Sequence, residues 1–295
     1  MTDKKTSRLL TSPYIAWAVI FILVPLAMLF YYGLTDVNGG LTLDNIRAIA
    51  EPVHLRALLL AVVLSVVSTI ICFLLAYPLG MILAKHKLSS QGLITTLFIL
   101  PMWMNFLLRT LAWMTLLENR GVINGILDFL HLPEINIINT PGAIVLGMVY
   151  NFLPFMILPI YNSLSSIDDN VINAARDLGA DAWQTFFKIT LPLSVPGIIS
   201  GVTMVFIPAL TTFAISTMLG GSKILLIGNV IEQEFTLTYD WNLGAGLSIV
   251  LMVFIVVNMV ISAMSEGDDS SERRNVKRFF SHTSGSDAGS GKDER

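Results

Sequence analysis

The chain has 295 residues, a net charge of −3 and a mean hydropathy of +0.71, with 54% hydrophobic residues. Only 13% of the residues are charged, against about 25% in soluble domains, which excludes an ordinary soluble protein. The negative charge gives no support for nucleic acid as a partner, and the single cysteine, Cys72, excludes an intrachain disulfide.

Several apolar runs exceed the ~18 residues that mark a membrane-spanning helix, and they are too long for the strands of a membrane barrel. The predicted fold class is therefore all-α, a polytopic membrane protein with six spans. The predicted spans are about 13–34, 57–84, 93–117, 142–164, 196–219 and 243–264. Together they make a transmembrane domain of residues 13–264.

The first predicted element is a basic N-terminus, residues 1–12, followed by the span 13–34. A basic start before an apolar run is also typical of a signal peptide. This run is longer than a signal sequence, and no small-x-small cleavage site follows it. We therefore predict an uncleaved first span.

Prolines and charges mark the later elements. Pro101 breaks the third span, which also holds Arg109, and Pro208 interrupts the fifth. Polar residues at 165–195 separate the fourth and fifth spans. From 265 to 295 Ser, Gly, Asp, Glu, Lys and Arg dominate, and this tail is predicted to be disordered and cytoplasmic.

Six spans place both termini on one side of the membrane. If that side is the cytoplasm, it carries thirteen Lys and Arg residues and the other side four, with Arg109 set aside. Cytoplasmic loops of membrane proteins carry an excess of Lys and Arg. The termini and the loop 165–195 are therefore predicted to be cytoplasmic.

The loop 165–195 holds two predicted helices. Val171, Ala174, Ala175 and Leu178 share one face of the first, and Ser165 or Ser166 is expected to start it with a capping box. Gly179 stands where a left-handed helix end is expected. Asp181 caps the second helix, which carries Trp183, Phe186 and Phe187 and is predicted to end at Pro192.

The first loop helix could lie on the membrane surface or dock in a groove of another protein. A helix on the membrane surface favours basic residues, whereas Asp168 to Pro192 has a local balance of −2, which the anionic inner leaflet repels. The alanine face also buries little apolar area in lipid. We therefore predict that this helix docks in a protein groove, and that the aromatic residues of the second helix pack against the transmembrane base.

The loop resembles the EAA loop of ABC-importer permeases, Glu-Ala-Ala, three residues, Gly, nine residues, Ile, one residue, Leu-Pro. Every spacing matches, with Asn in place of Glu. The positions that carry the resemblance are Asn173, Ala174, Ala175, Gly179, Ile189, Leu191 and Pro192. Segments 151–161, 219–231 and 103–121 resemble spermidine/putrescine importer permeases in particular, and the resemblance covers most of residues 42–264.

The resemblance implies the type I ABC-importer permease fold and a place in the bacterial inner membrane. The implied partners are an ABC ATPase dimer, a second permease, an extracytoplasmic binding protein, the surrounding lipid and a polyamine substrate. ATP and Mg²⁺ would be bound by the ATPase, with no cofactor in this non-catalytic chain. The implied ATPase-coupling residues are those seven together with Asp177 and Leu178.

A path for a polyamine should offer aromatic faces and polar oxygens. Trp103, Asn105, Tyr150 and Asn151 lie near Pro101 or Pro154, where broken helices free backbone carbonyls, and are the candidates to line it. Arg109 is the wrong charge for direct contact and is expected to be a structural pair, a gate element or a snorkelling side chain.

The sequence also bears on two other transport functions. A permease for iron, sulfate or molybdate shares the docking loop and stays open as an alternative. A stand-alone secondary transporter would favour intramembrane carboxylates, and the second to fifth predicted spans have none. The acidic residues Glu232, Glu234 and Asp240 lie on a predicted outer loop, where they could attract cations, meet a binding protein or be ordinary solvated charges.

Overall fold

The structure is a computed structural model that describes residues 13–85, 100 and 102–285, with side chains described as far as Met264 except at Ser222. Within these residues the chain is helical, and its one β-bridge joins Thr35 to Leu41. The main helices are α1 (Pro13–Gly33), α2 (Pro52–Lys85), α3 (Phe106–Leu117), α4 (Val122–Phe129), α5 (Pro141–Ser165), α6 (Asp169–Asp177), α7 (Ala182–Thr211), α8 (Ala214–Gly220), α9 (Ile227–Thr236) and α10 (Trp241–Gly285).

Five of the described helices are long and apolar enough to cross a membrane. They are α1, α2, α5, α7 and the part of α10 that ends at Met264. The predicted third span, 93–117, lies partly outside the described residues, and α3 covers its second half. The six-span topology and the cytoplasmic position of both termini stay predictions.

The fifth span differs from its predicted bounds of 196–219. The prediction that Pro192 ends the second loop helix is wrong, because α7 runs from Ala182 through Pro192 to Thr211. Pro192 is the second residue of the α-helical segment Leu191–Thr211, which follows a π-helical turn, Phe186–Thr190. A proline near the start of a helical segment loses little, since its missing N–H has less to bond there.

The predicted break in the fifth span is also displaced. The helix continues through Pro208 and ends at Thr211, and α8 begins at Ala214. The predicted disorder from 265 is not matched as far as Gly285, because α10 continues to that residue. Glu, Lys and Arg are good helix formers, and extending an existing helix avoids the cost of nucleation.

Two compact units divide the chain, and the first comprises residues 1–68, 105–148 and 208–255. In this unit the end of α1 lies against the start of α10. A Cβ on Gly246 would stand 2.6 Å from the backbone of Asn45, so this close approach requires glycine. Asn242 donates from Nδ2 to the carbonyls of Tyr32 at 3.0 Å and Thr35 at 2.6 Å, which ties α10 to the end of α1.

The second unit comprises residues 69–104, 149–207 and 256–295. Its core is built from α2, α5 and α7, and the buried residues are Cys72, Ala76, Tyr77, Leu83, Met156, Ile157, Ile160, Leu164 and Val205. The hydroxyls of Tyr77 and Ser194 lie 2.9 Å apart, so a hydrogen bond joins α2 to α7. This core supports the loop that precedes α7.

Candidate coupling loop and substrate path

The ends of α6 are closed by side-chain and backbone hydrogen bonds. Asp168 rather than Ser165 or Ser166 is its N-cap, and accepts from the Asn170 amide at 2.9 Å. At the other end Gly179 has φ +85°, which confirms the predicted left-handed corner. The Gly179 amide donates to Arg176 O at 2.9 Å and the Ala180 amide to Ala175 O at 3.0 Å, the two bonds of a Schellman motif.

Most of the predicted docking face of α6 is open to solvent. No residue of α6 is buried, Leu178 is 89% exposed and Val171 is 45% exposed. Ala174 is exposed, whereas Ala175 is half-buried together with Ile172. Asn173 and Asp177 are exposed as well. The helix is therefore held by its Ile172–Ala175 side and leaves a continuous surface without cover from the described part of the chain.

A short rigid anchor joins α6 to the transmembrane core. Asp181 caps α7 as predicted and accepts from the Gln184 amide at 2.7 Å. Thr185 is buried, and its hydroxyl donates to the Asp181 carbonyl at 2.8 Å. The ring of Phe186 meets the ring of Tyr77 edge to face, with centroids 5.8 Å apart. The loop corner is thus tied to α2 of the second unit.

The aromatic residues of the second loop helix do not all pack inward. Phe186 contacts the core, but Trp183 is 72% exposed and Phe187 55% exposed, and these two rings stack on each other. The prediction of inward packing is therefore wrong for Trp183 and Phe187. Both stand on one side of α7, since their spacing is one helical turn.

The positions that complete the EAA pattern lie where α7 enters the core. Ile189 and Leu191 are half-buried, and Leu191 packs against the core of the second unit. Pro192 is exposed. These residues continue the same helix that forms the fifth span, so the end of the loop and the span belong to one helix, α7.

Gly179 supplies a graded test of the loop corner. A Cβ at this position meets no atom within 4 Å, so the backbone conformation alone disfavours other residues. We expect Gly179→Ala to destabilise the corner by about 1 kcal/mol and Gly179→Asn by less, because Asn tolerates left-handed φ. Amide hydrogen exchange of residues 169–178 measures the effect, and equal exchange in the two variants would contradict it.

The predicted path residues lie in different surroundings. Trp103 is 86% exposed and Tyr150 is 39% exposed, whereas Asn151 is 2% exposed inside α5. Asn105 is the N-cap of α3 and accepts from the Leu107 amide at 2.8 Å, which explains this asparagine by local structure. Trp103, Tyr150 and Asn151 belong to the second unit and Asn105 to the first. Their role in a path stays a prediction.

Arg109 is buried in α3, at 7% exposure. A side chain that snorkels to the membrane surface would leave its guanidinium in contact with water. The burial favours a structural or gating role for Arg109 over snorkelling.

Sequence reasoning gave no role to Asn229, which organises the region after the fifth span. Asn229 is 2% exposed and its Oδ1 accepts from the Ser216 hydroxyl at 2.5 Å and the Leu226 amide at 3.1 Å. Its Nδ2 donates to Phe213 O at 3.0 Å and to the Thr217 hydroxyl at 2.7 Å. The sequence does contain a signal for this role. Asn229 is an amide within the apolar run 224–231, and it follows the pair Ser216–Thr217 closely in the chain.

The hub at Asn229 holds a break in the helical backbone. Thr212 and Phe213 separate α7 from α8, and the Phe213 carbonyl receives the Asn229 amide. A Cβ on Gly228 would stand 2.9 Å from Thr211 O, so α9 approaches this break closely. The Phe213 carbonyl also accepts from the Thr217 amide at 2.9 Å, so Asn229 adds a second donor to it and joins the break to α9.

Asn124 performs the same task in the loop after α3. It is 4% exposed, donates to the carbonyls of Asn119 at 3.1 Å and Ile135 at 3.0 Å, and accepts from the Ile135 amide at 2.9 Å. These bonds close the segment from 119 to 135 around one buried amide.

Comparison with known proteins places this fold and loop in one family. Residues 76–266 match the model of the binding-protein-dependent transport system inner membrane component family, about two thirds of the chain. The chain belongs to this family. It is an ABC-importer permease and a multi-pass protein of the inner membrane. The matched residues include the whole of α6, α7, α8 and α9.

Relatives of known name narrow the comparison. The permease is 34% identical to the spermidine/putrescine transport system permease protein PotB of Haemophilus influenzae, over 86% of this chain and 92% of that protein. It is 36% identical to PotB of Escherichia coli, over 84% and 93% of the two chains.

A solved structure shows the same fold at low identity. The bacterial alginate ABC transporter, crystallised with a periplasmic protein carrying an alginate pentasaccharide, has a chain with a TM-score of 0.73 at 18% identity. The match covers 88% of this permease and 94% of that chain. The ABC-importer permease fold predicted from the EAA pattern is therefore confirmed.

Proposed function

We propose that this permease forms, with a second permease, the path by which an ABC importer carries polyamines such as spermidine and putrescine across the inner membrane. The proposal rests on its similarity to PotB proteins over most of both chains. A separate extracytoplasmic binding protein would deliver the polyamine. A cytoplasmic ATPase dimer would bind ATP and Mg²⁺ and hydrolyse ATP, while this chain does no chemistry.

The observation that carries the coupling role is the exposed side of α6. Asp168 and Gly179 close both ends of the helix, and Phe186 fixes the following turn to the core. A helix held this way moves as a body with α7. A groove on the ATPase that grips Ala174 and Leu178 would therefore move the fifth span when the ATPase dimer closes.

The charge of the loop fits a cytoplasmic partner better than a lipid surface. Asp168, Asp169, Asp177 and Asp181 outnumber the two cations of the stretch, Arg176 and Lys188. Anionic lipid repels such a surface, whereas a basic rim on a protein groove attracts it. Asn173 replaces the glutamate of the EAA pattern, so its contact in that groove is a neutral hydrogen bond rather than an ion pair.

We expect Ala174→Arg to weaken association with the ATPase at least about tenfold and to lower uptake of labelled spermidine in step. Ala174 is exposed, and alanine and arginine have similar helix propensity, so α6 itself should stay folded. The bulky cation would still keep the face out of a close-fitting groove. Co-purification of the complete transporter and uptake into cells measure the two effects.

Gln184→Arg is the matched control, because Gln184 is also exposed, lies in the same loop and gains the same charge. It should leave association and uptake near wild type. Normal association of the Ala174→Arg variant would rule out docking through this face. Spermidine uptake that is unchanged when this chain is deleted from the complete system would rule out the polyamine assignment.

A further inference from the structure

An open cleft lies in the first unit. Its volume is about 560 Å³. Aromatic, aliphatic and acidic side chains share its wall, among them Met28, Tyr32, Val37, Tyr239, Asp240 and Trp241. The α1 end and the loop before α10 supply these residues. In the proposed topology the cleft faces the extracytoplasmic side.

Asp240 is the one charged side chain among the described residues that line this cleft, and it is exposed. Three further carboxylates stand close in sequence to lining residues: Asp36 directly precedes Val37, and Glu232 and Glu234 precede Thr238. A carboxylate in a concave surface raises the local concentration of cations. The cleft is therefore better suited to a cation than to an anion.

The aromatic residues add faces for an ammonium group. Tyr32 and Trp241 lie with ring centroids 5.9 Å apart, and Trp241 is held from another side by Phe235 at 5.8 Å. Trp and Tyr rings attract ammonium ions through their negative faces. Trp241 is 47% exposed, so part of its ring surface stays open to a ligand.

Tyr239 is placed at the rim at a cost to the backbone. Its φ is +56°, a conformation that bulky L-residues adopt rarely, and the residue is 71% exposed. Burial of the ring does not explain this choice, because most of the ring meets solvent. A glycine or asparagine would fit the backbone better, so the ring itself is what the position supplies.

We propose that this cleft binds a flexible alkyl diammonium or polyammonium ion on the outer face of the permease. Met28 and Val37 offer apolar contacts for the methylene chain, and the rings of Tyr239 and Trp241 with the carboxylate of Asp240 take an ammonium end. The inference deepens the proposed function and rests on its topology, because it adds a capture site before the membrane path.

Asp240 has two roles that a substitution can separate. Its Oδ1 accepts from the Leu243 amide at 3.0 Å and so caps α10. The positive end of the helix offsets part of this negative charge. Asparagine caps a helix as well as aspartate does. Asp240→Asn therefore removes the charge and keeps the cap.

The test is equilibrium binding of radiolabelled putrescine, a four-carbon diamine, to the complete transporter in lipid nanodiscs without the binding protein. We expect saturable binding that Asp240→Asn weakens about threefold to fivefold. Tyr239→Asn should weaken binding about threefold while it raises the midpoint of thermal unfolding, since the strained φ is relieved. Glu118→Gln, the same charge change at another exposed carboxylate, is the control.

The outcomes separate this inference from the proposed function. Equal putrescine binding by wild type and Asp240→Asn, or no saturable binding to wild type, would overturn the cleft even if spermidine uptake is normal. If Asp240→Asn or Tyr239→Asn weakens association with the binding protein but leaves putrescine binding unchanged, the cleft is a protein-docking surface instead. If the complete system takes up no polyamine but the cleft binds putrescine as expected, the proposed function fails and the site stands.

Discussion

Gly197→Ala is expected to lower the free energy of unfolding by about 2–3 kcal/mol, a large effect for one added methyl group. The Cβ would stand 2.6 Å from the backbone carbonyl oxygen of Pro159 and would overlap the side chain of Ser163. A backbone atom cannot turn away as a flexible side chain can, so α5 and α7 must separate. Uptake should fall as well if the loop before α7 couples to the ATPase as proposed.

The midpoint of thermal unfolding of the purified permease in lipid nanodiscs measures this effect. Gly125→Ala is the matched control, because Gly125 lies in helix α4 and a Cβ there meets no atom within 4 Å. That variant should be neutral or stabilised by up to about 1 kcal/mol, as alanine is the better helix former. A similar loss of stability in both variants would show that glycine flexibility, not close packing, matters at Gly197.

Asn229→Leu is expected to destabilise the protein by about 2–3 kcal/mol, the cost of leaving a buried donor unpaired together with the loss of further hydrogen bonds. Leucine is close in size but takes from the Leu226 amide the bond that Asn229 makes to it. The Phe213 carbonyl and the hydroxyls of Ser216 and Thr217 each lose one bond and keep the bonds among themselves. These groups lie in or near the break between α7 and α8, where water is a poor replacement. The break should loosen before the rest of the fold.

Hydrogen exchange of residues 211–229, together with the thermal midpoint, tests this expectation. Asn229→Asp keeps an acceptor oxygen but loses both donors and buries a carboxyl group beside the Phe213 carbonyl, so it should destabilise the protein at least as much as Asn229→Leu. The surface control is Asn119→Leu, because Asn119 is exposed and supplies only its backbone carbonyl to the neighbouring hub. If hydrogen exchange of residues 211–229 in the Asn229→Leu variant equals that of wild type, Asn229 does not stabilise this region.

The two helices before the fifth span show what sequence patterns can predict. Asp181 as a cap and Gly179 as a left-handed corner depend on neighbours within four residues, and both were predictable. The end of the second helix was not. A proline is a strong local stop signal, but at Pro192 the chain enters a core and a preceding π-turn, so the helix continues.

The candidate site divides in the same way. The spacing from Asn173 to Pro192 was sufficient to predict the permease family, because it lies in one continuous segment, and docking through this loop stays a prediction. The cleft could not be predicted, since Tyr32 and Trp241 are about 200 residues apart in the chain and meet only after α1 and α10 pack. Asn151 is buried in α5, whereas Trp103 is exposed. This difference could not be predicted from the sequence, because both residues lie near a proline.

Sequence alone determined that this chain is a helical membrane protein and where its loop corner turns, because hydrophobic run length and caps are local properties. Only the tertiary structure decided that α7 is one helix from the loop corner to Thr211, and that Asn229 closes the break after it. The role of a buried amide depends on the groups that other segments bring to it, and the effect of a proline depends on the hydrogen bonds around it. Neither can be predicted from the neighbouring residues in the chain.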